Sequence, residues 1–537
     1  MPILVSFLWF FRTGKIFLFY FYLWQIKEYQ VKRFIDHFRT YKGRELIFNE
    51  INLLKAGLFI FLLFNHGNDL FLKFLLWVLT FFYFVECLRI VKNIAEKRLK
   101  TPVLTIKTVF LIFAGFIAEI IILIGFFHIK SAFYFILFLL LFDIFSPIIS
   151  SLLVISFQPL TIFLRNKAVK QAIEKRNKFE NLLVIGITGS YGKTSTKEFL
   201  AAILSKKFSV LKTKEHENSE IGISRRILND LDKSHQIFIV EMGAYGKGGI
   251  KLLCNIAKPK IGIVSGVNSQ HLVLFGSMEN LISAEGGIEL AKSLPKNGVL
   301  VLNGNNELIM SNVKEKIKDI DIKKIFCGEG KKMDIIVKDI NVEKENISFK
   351  VVSKKESADF KANLMGGYNA ENILLAVATA KELGMTLKEI SRALKNIKEE
   401  QGSMKLIKAK NGFDIIDSTY SANPDGVIAD LEYLKIYKNK KVIVMPCLIE
   451  LGRVSKETHY KIGKKIGEVC NLAIITTRDK FKDIKKGALK LRMKEQNILF
   501  IESQKEITDK LKIFLGSGDV VLFEGRINKS IIKSLAE

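Results

Sequence analysis

Long apolar stretches near the N-terminus constrain this 537-residue chain more than any other feature. A bilayer core about 30 Å thick is crossed by roughly 20 mostly apolar helical residues. Four stretches approach that length, the first interrupted by Arg12 and Lys15, and a shorter fifth carries Lys55. In chain order the five occupy residues 3–24, 51–64, 70–85, 108–127 and 132–157. The sequence therefore predicts an α-helical membrane domain over residues 1–160, with four or five transmembrane helices.

Basic residues in the connections predict the orientation. Residues 27–44 hold six Lys or Arg and residues 92–100 hold four, whereas residues 65–69 and 128–130 are short and almost uncharged. Basic loops remain on the cytoplasmic side of a membrane. With five spans, the N-terminus is outside and everything after residue 157 is cytoplasmic, which predicts a multi-pass plasma-membrane protein. The basic segment 161–180 is predicted to be a juxtamembrane linker attracted to anionic lipid.

Two carboxylates, Glu119 and Asp143, lie inside predicted spans. An ionisable side chain in a bilayer is costly and indicates a functional site by default. The alternative is that each carboxyl is protonated, or pairs with a lysine near a helix end such as Lys107 or Lys130.

Charge and cysteine usage exclude several classes of protein. The net charge is +28, but no aromatic-and-basic motif of an RNA-binding sheet is present, so we expect a solvated lysine-rich surface and no nucleic-acid partner. The five cysteines are scattered without a CxxC pair, which argues against a disulfide scaffold or a zinc ribbon.

From residue 181 onward the pattern is typical of α/β domains. Short β-rich runs alternate with helical patterns, such as residues 372–383 and 387–397, and this alternation predicts parallel sheets with crossover helices. The β-rich runs are LLVIGITG, QIFIVEMG, KIGIVSGV, GVLVLNG, FDIID, KVIVMP, LAIITT and DVVLFEG. We expect a central domain over residues 181–399 and a C-terminal domain over residues 400–537.

The sharpest motif is GSYGKT, residues 189–194, between the strand LLVIGIT and the helix KTSTKEFLAAIL. Its glycines let backbone N–H groups surround a phosphate, which the positive end of the helix also favours. Lys193 would reach the outer phosphates of ATP, and the Thr194 hydroxyl would hold Mg²⁺. The first glycine of the usual GxxxxGK spacing is replaced by Ile187, so a chance match is the alternative. The predicted nucleotide-binding residues are Thr188, Gly189, Ser190, Tyr191, Gly192, Lys193, Thr194 and Ser195.

Two further residues follow predicted strands, where α/β sheets place their ligands. Glu241 ends QIFIVE, and His271 follows KIGIVSGVNSQ. With Thr194, they are predicted magnesium ligands, although histidine is less usual for a hard ion and His271 alone is more often structural.

These motifs together resemble the Mur ligase family, the ATP-dependent amide ligases of peptidoglycan precursor synthesis, and most of all its branch that adds D-alanyl-D-alanine to UDP-N-acetylmuramoyl-tripeptide. The resemblance extends from about residue 183 to the C-terminus. Besides the phosphate loop it rests on NSEIGIS, VEMGAYGKGGI, HLVLFGSMENL, YNAEN, DSTYSANPDG and IELGRVSKETH. It implies a P-loop central domain and a Rossmann-like C-terminal domain.

The resemblance also implies a reaction and roles for particular residues. ATP phosphorylates a substrate carboxylate to an acyl phosphate, and an amine then displaces phosphate. Lys193, Glu241, His271 and Glu285 would be catalytic, and Asn369 and Asn372 would help to hold the nucleotide. Asn218, Asp417, Tyr420 and Asn423 are candidates for binding the precursor or the incoming dipeptide; for Tyr420 and Asn423 the alternative is a structural turn before a helix.

Several positions depart from the family pattern. Glu285 occupies the place of a carbamylated lysine that bridges magnesium ions, and a metal role for this shorter carboxylate is open. Ser403 replaces an arginine, Ser418 the second of two aspartates, and Asn305-Asn306 an acidic pair. ATP binding therefore looks intact, whereas the chemistry of the second substrate looks eroded.

The largest departure is that apolar stretches occupy the place of the family's UDP-binding domain. The leading interpretation is a membrane-anchored ligase of a cell-wall precursor. The alternatives are a related ligase with a lipid-linked acceptor, and a catalytically weakened nucleotide-binding scaffold that recruits other cell-wall enzymes.

Overall fold

The computed structural model describes residues 2–65, 68–96, 98–215, 217–354, 356–395, 397, 404–420, 422–491 and 493–537. The chain forms two compact units, Met1–Leu164 and Arg165–Glu537.

The N-terminal unit consists of helices. They are α1 (Pro2–Ile26), α2 (Val31–His37), α3 (Tyr41–Ile47), α4 (Glu50–Phe64), α5 (Asp69–Ala95), α6 (Ile106–His128) and α7 (Ala132–Ser156), and α8 (Gln158–Asn177) begins in this unit. Side chains of Asn49, Asn68 and Thr105 accept hydrogen bonds from backbone N–H groups in the first turns of α4, α5 and α6. Such caps satisfy donors that a helix start otherwise leaves unpaired.

Five helical segments of the described residues are long and apolar enough to cross a membrane. They are Pro2–Ile26, Tyr41–Phe64, Asp69–Ala95, Ile106–His128 and Ala132–Asn177. The short fifth stretch is thus extended at its N-terminal side by α3. Large apolar side chains such as Trp77 and Phe110 point outward, at 66% and 59% exposure. The predicted apolar helices are confirmed, and their outer surface is as apolar as a lipid-facing surface would be.

Four charged side chains meet inside this bundle, each on a different helix. Arg12 of α1 bonds Glu86 of α5 at 2.6 Å and pairs with Asp143 of α7. Lys55 of α4 lies 2.7 Å from Glu86 and 3.0 Å from Asp143, and the Tyr83 hydroxyl donates to Asp143 at 3.2 Å. Two positive and two negative groups therefore compensate one another in a buried site.

This cluster corrects the expectation for Asp143. Its partners are Arg12 and Lys55, whose side chains turn toward the bundle interior, and not Lys107 or Lys130. Lys107 instead lies over the ring of Tyr29. Glu119 is buried beside Gly14 of α1, and no lysine or arginine among the described residues pairs with it.

The second unit begins with a nine-stranded sheet in the order β2-β3-β1-β4-β5-β6-β7-β8-β9. Its strands are β1 (Leu183–Thr188), β2 (Val210–Lys212), β3 (Ile237–Glu241), β4 (Ile261–Val264), β5 (Val299–Asn303), β6 (Lys323–Gly328), β7 (Ile335–Val342), β8 (Ile347–Ser353) and β9 (Ser357–Ala362). The first seven pair in parallel and β7, β8 and β9 pair antiparallel. This antiparallel extension was not predicted.

Helices cover both faces of that sheet. They are α9 (Lys193–Leu204), α10 (Glu220–Asp230), α11 (Gly249–Ala257), α12 (Leu272–Phe275), α13 (Met278–Ala284), α14 (Ile288–Ser293), α15 (Lys314–Lys316), α16 (Asn369–Glu382) and α17 (Leu387–Leu394). One apolar core packs α9, α16 and α17 against the sheet, and a second packs α10, α11, α13 and α14 against the other face. Because β1 lies between β3 and β4, Thr188, Glu241 and Val264 end neighbouring strands at one edge.

A six-stranded sheet follows, in the order β10-β11-β15-β12-β13-β14. Its strands are β10 (Lys405–Lys408), β11 (Asp414–Ser418), β12 (Lys441–Met445), β13 (Leu472–Ile475), β14 (Ile498–Phe500) and β15 (Val520–Glu524). Its helices are α18 (Pro424–Tyr433), α19 (Ser455–Val469), α20 (Phe481–Lys490), α21 (Gln504–Phe514) and α22 (Lys529–Ala536). Except for antiparallel β10 the strands are parallel, which confirms the predicted α/β class.

Candidate active site

The loop between β1 and α9 has the backbone that its glycines predict. Gly189 has φ +146° and Gly192 has φ +76°, both in the region that favours glycine. A Cβ atom at Gly189 would collide with Ser265, and one at Gly192 would collide with the Asn372 side chain. Only glycine fits at these two positions, so the motif forms a tight loop at the start of a helix, as predicted.

Lys193 folds back over this loop. Its amine donates to the carbonyl oxygens of Gly189 and Ser190, the second at 3.3 Å. The buried Thr188 hydroxyl has no hydrogen-bond partner among the described residues, and Ser195 lies half-buried in the first turn of α9. The loop thus offers an ammonium, backbone N–H groups and an unsatisfied hydroxyl at one place, which fits the phosphates of a nucleotide.

Glu241 is the central carboxylate at the end of β3. Its oxygens accept from the Thr194 hydroxyl at 3.1 Å and from the Asn218 amide at 3.2 Å. Lys197 of α9, fully buried, lies 3.1 Å from the same carboxylate and 3.2 Å from Glu198. Lys197 was not identified from the sequence, although its spacing of four from Lys193 puts both lysines on one face of α9.

His271 belongs to a second group beside the same loop. Its Nδ1 lies 2.8 Å from one oxygen of Glu285, and the other oxygen of Glu285 accepts from the Ser190 hydroxyl at 2.6 Å. Glu285 is 2% exposed. The position that departs from the family pattern therefore touches the phosphate loop and the predicted metal ligand directly.

The described residues contain no cluster of three or more His, Cys, Asp and Glu side chains that could hold a metal ion. Thr194, Glu241 and His271 are instead divided between two pairs, Thr194 with Glu241 and His271 with Glu285. The donors still fit Mg²⁺, because hydroxyl and carboxylate oxygens are the ligands it prefers.

The first turn of α16 also faces the loop. The Asn372 amide lies against Gly192, as a nucleotide contact would require, whereas Asn369 donates at 2.9 Å to the carbonyl of Met365. Tyr191 is held by Asn306, whose amide donates to its hydroxyl at 3.0 Å, and burial raises the pKa of Tyr191. Asn305 in turn donates to Glu371 at 2.9 Å. The two asparagines at the expected acidic pair thus support the loop and α16.

Candidates in the C-terminal domain lie mainly in turns. Asp417 accepts from the backbone N–H and hydroxyl of Thr419, and Asn423 caps α18 by accepting from the N–H of Gly426 at 3.1 Å. Tyr420 is 44% exposed, and partial burial with the nearby Glu215 carboxylate raises its pKa. Ser403 lies outside the described residues. The turn roles are visible, and substrate binding by these side chains stays a prediction.

Ser418 lies beside two buried acidic residues, Asp430 and Glu524, which the sequence did not indicate as a pair. Its hydroxyl donates to Asp430 at 2.6 Å, and it lies opposite Glu524 in the pairing of β11 with β15. Burial raises the pKa of Asp430 to about 6 and that of Glu524 well above its ordinary value.

Comparison with known proteins agrees with this arrangement. Residues 187–380 match the family model of the Mur ligase middle domain, and residues 403–527 match that of the Mur ligase, glutamate ligase domain. The chain is 27% identical over 359 residues to the UDP-N-acetylmuramoyl-tripeptide--D-alanyl-D-alanine ligase of Bacillus subtilis (strain 168), covering 66% of this chain and 76% of that protein. It is 32% identical over 286 residues to the ligase of the same name from Synechocystis, covering 53% of this chain and 59% of that protein.

Solved structures give the same picture. MurF from Acinetobacter baumannii superposes with a TM-score of 0.63 at 25% identity, covering 69% of this chain and 80% of that chain. MurF from Thermotoga maritima in complex with ADP gives a TM-score of 0.58 at 27% identity, covering 69% and 82%. The two family models together match more than half of this chain, at the residues that carry the phosphate loop, Glu241, His271 and the second sheet, and the chain therefore belongs to the Mur ligase family.

Proposed function

We propose that this protein is a membrane-anchored, ATP-dependent and ADP-forming amide ligase that adds D-alanyl-D-alanine to a muramoyl-tripeptide precursor. The observation that supports this most strongly is the phosphate loop, with Lys193 above it and the carboxylates of Glu241 and Glu285 on its two sides. The names of the relatives, and the ADP complex of the Thermotoga maritima enzyme, support the nucleotide and both substrates.

The chain's residues account for the steps of such a reaction. A carboxylate oxygen of the precursor attacks the terminal phosphorus of ATP, ADP departs, and an acyl phosphate remains. Lys193 would exchange its carbonyl partners for phosphoryl oxygens and stabilise their charge as it develops. Magnesium, held by Thr194, Glu241 and His271, with Glu285 at their side, would neutralise phosphate charge. The amine of the dipeptide then attacks the acyl carbon and phosphate leaves.

The buried Lys197 would keep Glu241 in place. It supplies the positive charge that Glu241 needs in a buried position, and Asn218 holds the second oxygen of the same carboxylate. A carboxylate fixed in this way loses little conformational freedom when it meets a cation.

The N-terminal unit supports location at a membrane. Its five apolar helices carry outward-facing aromatic side chains and bury their charged groups in a compensated cluster. The basic connections favour a cytoplasmic position for the ligase domains. The protein would thus act on the cytoplasmic face of the plasma membrane.

A lipid-linked precursor is the second candidate for the acceptor. The reason is that the apolar N-terminal unit stands before the ligase domains, in the place where family members usually carry a UDP-binding domain. Detergent-purified protein would be given Mg-ATP, D-Ala-D-Ala and either the UDP-linked tripeptide or a tripeptide on a polyprenyl diphosphate carrier. The pentapeptide product is measured by mass, with Lys193→Ala as the blank.

A product from the UDP-linked acceptor supports the leading proposal, and a product from the lipid-linked acceptor alone supports the second. Absence of both products, in protein that binds ATP, would contradict both and favour a nucleotide-binding scaffold for other cell-wall enzymes.

A further inference from the structure

A continuous line of hydrogen bonds runs from the phosphate loop to the C-terminal domain through Asn268. The backbone N–H of Asn268 donates to the Ser190 hydroxyl oxygen at 3.1 Å. The same hydroxyl donates to Glu285 at 2.6 Å, and Glu285 pairs with His271. The backbone of Asn268 thus holds the side chain that orients the second carboxylate of the site.

The side chain of Asn268 faces the C-terminal domain. Its Nδ2 donates to Oδ1 of Asn423 at 2.9 Å, and its Oδ1 accepts from the backbone N–H of Gln270 at 3.0 Å. Because a backbone N–H can only donate, the Gln270 contact fixes which end of the amide is the oxygen. The NH₂ group is therefore directed at the C-terminal domain, and Asn268 is 6% exposed.

The acceptor of this bond belongs to Asn423, the residue at the start of α18. Oδ1 of Asn423 also accepts from the N–H of Gly426 and so caps α18. Gln270 also donates to the carbonyl of Ala422, the residue before Asn423, at 3.2 Å. Asn268 and Gln270 together hold the start of α18, the segment that carries the candidate dipeptide-binding residues.

We propose that Asn268 is a positioning residue that couples docking of the C-terminal domain to the geometry of the phosphate loop. This inference rests on the proposed function, because it concerns the same nucleotide site. Docking of α18 holds the Asn268 side chain, and its backbone then holds Ser190 against Glu285. The two equilibria are linked, so the factor by which docking raises nucleotide affinity is also the factor by which bound nucleotide favours docking. The incoming amine is thereby brought to the site only when the loop is set for phosphoryl transfer.

The test uses an introduced cysteine pair in the full-length protein. Gln270→Cys with Ala422→Cys replaces the Gln270 contact by two thiols and leaves the Asn268–Asn423 bond as the link under test. The five native cysteines are buried and form no disulfide. Disulfide formation is timed in detergent with and without Mg-ADP, and ADP affinity is titrated in parallel. Couplings of this kind amount to roughly 5- to 150-fold, and we expect Mg-ADP to accelerate crosslinking by about tenfold.

Two variants remove the same bond from opposite sides, Asn268→Ala and Asn423→Ala, and each is expected to abolish the acceleration and weaken ADP binding by about tenfold. Asn423→Asp keeps an acceptor for both N–H groups and is expected to retain the acceleration of crosslinking by Mg-ADP. The control Asn341→Ala changes an exposed asparagine of β7 and is expected to have no effect. Thermal unfolding verifies that each variant is folded.

The outcomes separate this inference from the proposed function. The coupling is disproved, and the ligase proposal stands, if folded Asn268→Ala and Asn423→Ala bind ADP and crosslink as the parent does. The same conclusion follows if the parent binds Mg-ADP but its crosslinking is not accelerated. A parent that does not bind ADP would overturn both.

Discussion

Glu285 stands where the resemblance to the family predicts a lysine. It lies between the Ser190 hydroxyl and the His271 ring, with both carboxylate oxygens engaged. Glutamate offers the charge that a carbamylated lysine would offer, but on a shorter side chain. Its position beside the phosphate loop is compatible with a metal ligand and also with a purely structural acceptor.

Two substitutions distinguish these roles. Glu285→Gln keeps the size and one acceptor oxygen but removes the charge, and Glu285→Ala removes all three. If the charge helps to hold magnesium, we expect both variants to need about tenfold more Mg²⁺ for half-maximal ATP turnover, a change of about 1.4 kcal/mol. A Mg²⁺ titration in which the glutamine variant matches the unchanged protein would show that Glu285 acts only as a hydrogen-bond acceptor.

The acidic pair behind Ser418 gives a pH-dependent prediction. Burial raises the pKa of Asp430 to about 6 from an ordinary value of 3.8. Between about pH 4 and pH 6, the folded protein therefore holds a proton that the unfolded chain has released. The free energy of unfolding therefore falls as pH rises from about 4 to about 6 and stays lower above that range. The shift corresponds to about 2–3 kcal/mol.

Asp430→Asn should remove this fall in the free energy of unfolding with rising pH. The variant is expected to be stabilised relative to the unchanged protein at pH 7.5 and to lose that advantage near pH 4, as measured by thermal unfolding. Asp509→Asn, at an exposed aspartate of α21, is the control. An unfolding midpoint that depends on pH equally in both variants would contradict the raised pKa.

At the scale of the elements, the charged cluster of the N-terminal bundle joins α1, α4, α5 and α7. Removal of one member of a buried ion pair costs about 3–5 kcal/mol, because its partner is left buried and uncompensated. Removal of one positive and one negative group together avoids that cost. The cluster therefore makes a prediction about which combinations of substitutions the bundle tolerates.

We expect Lys55→Met to lower the unfolding temperature of the detergent-purified protein strongly. The double variant Lys55→Met with Glu86→Gln leaves the pair of Arg12 and Asp143 and should recover most of the loss. Lys73→Met changes an exposed lysine of α5 and serves as the control. A double variant that is less stable than Lys55→Met would mean that the four charges do not compensate one another.

The same cluster shows which structural features can be predicted from the sequence and which cannot. Apolar length predicted the helices, and strand-loop-helix context predicted the phosphate loop, because both patterns are local. The partners of Asp143 could not be predicted, since they come from α1 and α4, far away in the chain. The contact of Lys197 with Glu241 and that of Glu285 with Ser190 were missed for the same reason. Strands β7 to β9 were not predicted either, although β8 alternates buried and partly exposed residues along ISFKV, which is typical of a strand with one buried face.

At the scale of the whole molecule, the chain is divided into units that have separate cores. The boundary between Leu164 and Arg165 lies within α8, and the phosphate loop and both sheets belong to the second unit. Because the nucleotide site draws its residues from that unit, the fragment 165–537 should remain soluble and bind ADP with an affinity within about threefold of the full protein. Titration of ADP against both proteins checks this. A fragment that folds and does not bind ADP would show that the N-terminal unit contributes to the site.

The measurement that tests the central proposal most directly is phosphate release by the detergent-purified protein with Mg-ATP. It is made with neither substrate, with each alone, and with UDP-linked tripeptide and D-Ala-D-Ala together, using Lys193→Ala as the blank. A ligase predicts release that requires both substrates, matches the pentapeptide formed by mass, and falls at least a hundredfold in the variant. Release that ignores the substrates, or that survives in Lys193→Ala, would contradict the account.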